Sequence, residues 1–238
     1  MKKVFLILFA LAGMALAATA QESKTMYVMK NGEIAYQSAV SEVDSIVFYA
    51  SVVLPDDEEG VVINGVKWAT CNVDAPGTFA ANPEAPGMFY QWNRKVGWSA
   101  TDPMINSNGG TTWDSSLTFS STWEKTNDPS PSGWRVPTLD EIKTLLDANK
   151  VSHDWVTQNG VNGQKFTDKA TGNSLFLPAV GSRYFTSGGL YSTGEYGYYW
   201  SSTQDGTDGA SYLLFNSSDA DWTYHVRRMG FSVRSVAE

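Results

Sequence analysis

His153 and His225 are the only imidazoles in a chain of 238 residues. A nucleophilic serine needs a histidine base steadied by an acid, and a zinc centre needs several ligands at close spacing. His153 precedes Asp154-Trp155, where a polar surface or capping role accounts for it. His225 follows Trp222-Thr223-Tyr224, where strand alternation sets it on the face opposite Tyr224. There is no G-x-S-x-G elbow and no GxxxxGK[ST] loop to cradle phosphates. Carboxylates are the remaining source of chemistry. Glu195, Asp205, Asp208, Asp219 and Asp221 crowd one region, and glycoside hydrolysis requires just two acids about 5–9.5 Å apart. Spacing in loops does not set such a separation, so paired carboxylates stand as an alternative reading. No catalytic residue, metal ligand or cofactor is assigned, and Asp205-Gly206-Thr207-Asp208-Gly209 reads as a solvated turn.

A compositional signal is stronger. From Tyr198 to Arg228, residues that look structural (Trp200, Leu213, Phe215) are interleaved with Tyr, Asp, Asn, Ser, His and Arg. Strand periodicity turns one set inward and the other outward. Rigid aromatics mixed with small polar groups is the composition of recognition surfaces, because Tyr and Trp offer large contact area at small entropic cost. The expected contact residues are Tyr212, Asn216, Asp219, Asp221, Trp222, Tyr224 and Arg227.

These side chains must be held by something. The chain carries 11 Phe, 9 Trp and 11 Tyr, and most of its connections are rich in Gly, Ser and Asn. Such connections need many fixed side-chain contacts to offset their ordering entropy. Strands are expected at 88–92, 164–167, 174–179, 197–202, 211–216, 222–226 and 230–235. One helix is expected over about 139–148. Thr138 and Glu141 form its capping box, and Leu139, Ile142, Leu145 and Leu146 form its apolar stripe. Asn64-Gly65, between Val61-Val62-Ile63 and Val66-Lys67-Trp68, reads as a hairpin turn.

Upstream, Met1-Lys2-Lys3, an apolar run from Val4 to Ala18 and the small-residue triplet Ala18-Thr19-Ala20 form an export signal over 1–20. Residues 21–53 read as a small β unit turning at Asn31-Gly32, with a further apolar edge at Val43, Ile46, Val47 and Phe48. Residues 54–60 form an acidic linker, and the main domain occupies 61–238. The net charge is 17 − 25 = −8, or 15 − 25 = −10 once Lys2 and Lys3 are removed. That balance disfavours nucleic acid and anionic lipid, and no later segment is apolar enough to span a bilayer. The single cysteine, Cys71, excludes an internal disulfide framework.

Ile63-Asn64-Gly65-Val66-Lys67-Trp68-Ala69-Thr70, Ser132-Gly133-Trp134-Arg135-Val136-Pro137-Thr138, Tyr198-Tyr199-Trp200-Ser201-Ser202-Thr203 and Gly230-Phe231-Ser232-Val233-Arg234 occur in that order. Together they resemble the Fibrobacter succinogenes major paralogous domain of Bacteroidetes exported proteins. The resemblance runs from about residue 61 to the C-terminus. It implies an α+β, C-type-lectin-like fold with small antiparallel sheets, one helix and long loops. Members often carry Cys where this chain has Ser130, so a bridge to Cys71 does not carry over. The Glu-Pro-Asn, Gln-Pro-Asp and Trp-Asn-Asp tripeptides of calcium-dependent lectins do not occur, nor do the paired cysteines of formylglycine-generating enzymes. Some proteins of this fold are diversified by retroelements at adenine-containing codons near the C-terminal end. The outward residues above are of types that such codons yield.

The expectation is an exported, non-catalytic binding module, secreted, periplasmic or held at the cell surface. It would recognise an extracellular protein or glycan, without a cofactor. A carbohydrate-active enzyme and a structural, fimbrial-type surface component are the alternatives.

Overall fold

The computed structural model describes residues 25–30, 33–39, 60–117 and 120–238. Two compact units comprise residues 1–51 and 52–238. In the first, β1 (Thr25–Lys30) and β2 (Glu33–Ala39) pair antiparallel, with Thr25 opposite Ala39 and an irregularity at Val28/Met29. The expected signal segment 1–20, the Asn31-Gly32 turn, the apolar edge at 43–48 and linker residues 54–59 lie outside the described residues.

The second unit is α+β, built from small antiparallel sheets around one helix among the described residues. β3 (Val61–Ile63) and β4 (Val66–Trp68) flank Asn64-Gly65. Both turn residues have positive φ, 46° and 83°, as a type I′ hairpin demands. The Asn64 amide donates to Asp168 Oδ2 at 2.8 Å, tying the turn to a distant sheet. β5 (Met88–Tyr90) pairs with β6 (Gly97–Ser99). β7 (Trp134–Arg135) and β16 (Val236–Ala237) complete a four-stranded sheet with β3 and β4.

Helix α1 (Leu139–Leu145) starts at the expected capping box. Thr138 Oγ1 accepts from the Glu141 amide, and the Thr138 amide donates to Glu141 Oε2 at 2.7 Å. Arg135 grips the same carboxylate with both terminal nitrogens, at 2.9 and 2.6 Å, locking β7 to the helix. Burial pushes the Glu141 carboxyl up, but the Arg135 and Thr138 bonds outweigh it and hold it below its ordinary range. The helix ends earlier than its apolar pattern predicts. The Asp147 carbonyl accepts from Lys150 and Val151 and turns the chain into the next strand.

That strand, β8 (Val151–Gln158), is a correction to the sequence reading. His153 lies within it, and its Nδ1 sits 3.0 Å from Gln164 Nε2. The strand is hard to see because Ser152, His153, Asp154 and Gln158 break the apolar alternation. It joins β9 (Val161–Asp168) through a second Asn-Gly turn, and β10 (Ser174–Pro178) completes the sheet. β11 (Ser182–Arg183) pairs with β12 (Leu190–Tyr191). β13 (Gly197–Asp205), β14 (Gly209–Phe215) and β15 (Ala220–Val226) form an antiparallel sheet with β14 in the middle. The expected strand at 230–235 is replaced by single bridges to Tyr90, Arg183 and Tyr199.

Both faces of the β13–β15 sheet are covered in part. Tyr199, Leu213 and Phe215 point to the core under α1, with Ile142, Leu145, Phe166 and Leu177. Trp200, Ala210 and Tyr212 point the other way, onto Trp92, Met229 and Phe231. Trp200 Nε1 donates to the Tyr90 carbonyl at 2.8 Å, and Trp92 Nε1 to the Ser201 carbonyl at 2.9 Å. The expected structural role of Trp200, Leu213 and Phe215 is met; all three are buried.

Candidate functional site

The seven expected contact residues do not form one patch. β14 and β15 pair without a register shift, so opposed residues share a face. Leu213 opposes Trp222 and Ser211 opposes Tyr224, which puts both aromatics on the α1 side of the sheet. Trp222, 38% exposed, lies under Lys143 of α1 at 4.9 Å, and Tyr224 is 64% exposed. Asp221 opposes Leu214, on the other face. Asn216 sits in the β14–β15 turn, its Oδ1 accepting from the amides of Ser218 and Asp219.

Tyr212 and Arg227 are corrections. Tyr212 is 4% exposed, because β14 is the central strand and its ring is covered by Phe231 and Trp200. Arg227 is 2% exposed. Its guanidinium lies 4.3 Å from the Trp92 ring and donates to the carbonyls of Gly209 (2.8 Å) and Ser120 (2.6 Å). Chain composition alone does not distinguish an arginine that serves buried carbonyls from one that faces a partner.

Polar side chains in and just before β15 also have a local task. Asp219 Oδ1 accepts from the Ala220 amide, Asp221 Oδ1 from the Trp222 amide and His225 Nδ1 from the Val226 amide. These amides share one parity along the strand, the side turned away from β14. Side chains of the preceding residues thus occupy donors that would otherwise invite another strand.

A different set of side chains does converge. On the Trp200/Tyr212 side of the sheet, Tyr191 lies 5.2 Å from Tyr184, Tyr184 4.5 Å from Phe185, and Phe185 6.4 Å from His225. Tyr196 stacks on Tyr198 at 6.0 Å and 25°, and Tyr198 on Phe231 at 5.0 Å and 22°. Tyr191 is 55% exposed, and Tyr184, Phe185, Tyr196, Tyr198, Leu214 and His225 are half-buried. Asp221 and Glu195 flank this face and are exposed. Most of these rings come from residues 184–198, just before the stretch singled out in the sequence. The signal was present as five aromatics among glycines and serines in Tyr184–Tyr198.

Rigid elements hold the face. Buried Arg183 donates to the Ser99 carbonyl through Nε (2.8 Å), to the Gly188 carbonyl through Nη1 (2.5 Å) and to the Thr101 carbonyl through Nη2 (2.8 Å). These bonds clamp the 184–189 turn onto the 99–102 segment. Trp113 Nε1 donates to the Phe185 carbonyl at 3.0 Å, and Arg228 lies over the Phe185 ring at 5.2 Å. Gly188 has φ +69°, and a Cβ there would fall 2.4 Å from Met104 Sδ and 2.8 Å from the Trp113 ring. The tight turn under the tyrosines therefore requires glycine.

Burial lowers the His225 pKa from its ordinary value, and its Nδ1 accepts a backbone proton that an imidazolium would refuse. The unfolded chain then takes up the proton first as pH falls. Stability contributed by the neutral ring is full above about pH 6.5 and is lost as pH drops through the folded pKa. Chemical denaturation between pH 7 and 5 is expected to show this slope, and His225→Asn, which keeps an acceptor and does not titrate, to flatten it. An unchanged slope in the variant would contradict this assignment. The hydrogen-bonded carboxylates Glu141 and Asp168 have lowered pKa values, so their losses fall at lower pH.

Asp205 and Asp208 lie at the β13–β14 turn, and Asp219 and Asp221 at the far end of the same sheet. Asp221 lies five residue steps along β15 from Val226, which pairs with Gly209; at about 3.4 Å per step that is roughly 17 Å. This exceeds the span of a glycosidase pair. Elsewhere, a cleft of about 600 Å³ runs past Trp123 and Trp134. Its charged groups are largely engaged already: Arg135 with Glu141, Lys125 with Glu238, and Asp128 with the amides of Ser130 and Val136. Ser130 accepts a hydrogen bond from Ser235 at 2.8 Å, and Cys71 is buried. Among the described residues no helix is long and apolar enough to cross a membrane.

A protein-family model for the Lcl C-terminal domain matches residues 64–237. No curated protein and no solved structure matches the chain.

Proposed function

The chain belongs to the Lcl C-terminal domain family, which points to a surface or extracellular module, and from that premise we propose an exported, non-catalytic binding module. Its ligand is an extracellular protein or glycan, held on the tyrosine face formed by Tyr184, Phe185, Tyr191, Tyr196 and Tyr198. One observation carries this reading: four half-buried rings and the exposed Tyr191, from two separate segments, converge on one face and are held by Arg183, Trp113 and Arg228. Fixed aromatic groups lose little entropy on binding, so their contact area is converted to affinity efficiently. The small antiparallel sheets, single helix and loop-borne surface support a C-type-lectin-like fold and kinship with the Fibrobacter succinogenes major paralogous domain. The export signal over residues 1–20 supports secretion or surface display.

A glycan array and a pull-down with the exported protein test the reading. Binding that is lost in Tyr184→Ala/Tyr191→Ala and kept in Trp222→Ala/Tyr224→Ala supports it. Release of reducing ends from a polysaccharide, abolished by Glu195→Gln or Asp221→Asn, would replace it with an enzymatic one.

A further inference from the structure

The floor of the tyrosine face has an unusual group. Tyr212 is 4% exposed; its hydroxyl bonds no described residue, yet it is not one of the sealed side-chain atoms left without a partner, so it keeps a contact with solvent. It stands beside Tyr198, their ring centroids 6.0 Å apart, and shares that residue's side of the sheet. Burial, and the Tyr198 hydroxyl nearby, push its pKa up to about 12, so it stays a neutral donor and acceptor. Burial raises the Tyr198 pKa above its ordinary value, so this hydroxyl too is held neutral. The face thus pairs ring surfaces with hydroxyl groups, one of which bonds no described residue and stays open to a ligand.

Three features narrow the ligand. Exposed Glu195 and Asp221 flank the rings, and the chain's net charge is −8, which repels a polyanion. A protein partner is anchored by large side chains in an apolar core. The exposed aliphatic residues, Val62 and Ile105, belong to other segments, and Tyr191 is the one large exposed ring on this face among the described residues. The exposed Tyr191 ring and the half-buried Tyr184 beside it, 5.2 Å apart and tilted by 37°, each with a hydroxyl, instead suit a sugar, whose C–H face stacks and whose hydroxyl rim hydrogen-bonds.

Resting on the binding reading above, we infer that the tyrosine face takes an uncharged polysaccharide, stacked on Tyr191 and Tyr184 and hydrogen-bonded at its floor by the Tyr212 hydroxyl. Two consequences of Tyr212→Phe differ. Removing a hydroxyl that reaches solvent and bonds no described residue leaves folding stability nearly unchanged, while losing the bond to sugar weakens binding.

Affinity electrophoresis of the full chain through gels containing laminarin, mannan, xylan or dextran, with heparin and polygalacturonate as polyanions, tests this. At least one neutral polysaccharide is expected to retard the protein, with little dependence on salt. Tyr191→Ala is expected to weaken that retardation about tenfold or more. Tyr212→Phe should weaken it about threefold or more with no loss in thermal midpoint. No retardation by any neutral polysaccharide, or retardation by polyanions alone, overturns the inference. If a purified extracellular protein instead binds through Tyr184 and Tyr191, the glycan assignment fails while the binding module stands. If both tyrosine variants retain every interaction of the parent, both readings fail.

Discussion

Arg183→Ala is expected to destabilise the second unit by about 3–5 kcal/mol, the range seen when one member of a buried charged network is removed. The guanidinium reaches three backbone carbonyls at once, those of Ser99, Gly188 and Thr101, and also Asp102 Oδ1 at 3.3 Å. Deleting it strands those carbonyls, each at about 1–3 kcal/mol where water cannot replace the donor. Domains have only about 5–15 kcal/mol in total, so the thermal midpoint should drop by roughly 10 °C or more. Arg183→Lys should recover little, because one ammonium cannot reproduce a planar fork spanning separated acceptors. Differential scanning calorimetry of both variants checks this. A fall of less than about 1 kcal/mol would mean that the 184–189 turn is held by other contacts.

The second large effect concerns recognition. Tyr184→Ala/Tyr191→Ala is expected to reduce affinity for a bound glycan or protein by roughly tenfold to a hundredfold. Each ring contributes about 0.5–1.5 kcal/mol beyond its area, and 1.4 kcal/mol is a factor of ten. Trp222→Ala/Tyr224→Ala, on the opposite side of the sheet, should change affinity less than twofold even though Tyr224 is the more exposed ring. Isothermal titration calorimetry on the two double variants separates the faces. Equal losses in both would show a ligand that wraps the sheet edge, and loss confined to the second pair would move the site to the α1 side.

The helix, its capping box and the Asn64-Gly65 turn were legible because each is a local rule: a hydroxyl three residues before a carboxylate, or two residues that tolerate positive φ. The strands of the β13–β15 sheet were legible from alternation. Its surface was not, for two physical reasons. Alternation gives two faces and does not say which loops cover each. Tyr212 looks outward in a pattern that treats tyrosine as polar, but the central strand is covered on both sides. Arg227 and Arg183 are charged and nonetheless interior, because long irregular segments leave many carbonyls in need of donors, and a guanidinium serves three at once. Tyr184, Phe185 and Tyr196 lie outside strands and Tyr191 ends a two-residue strand, so no periodicity assigns them a direction. Their convergence depends on the Arg183 clamp and on the β11–β12 pairing, both of which are long-range facts.

Amide chemical-shift mapping during titration of the labelled protein with the polysaccharide that retards it tests the central claim most directly. Perturbations centred on residues 184–198, with Leu214, Asp221 and His225 at the margin, are the expected result. Perturbations centred on Trp222, Tyr224 and α1, or on the cleft beside Trp123 and Trp134, would contradict it.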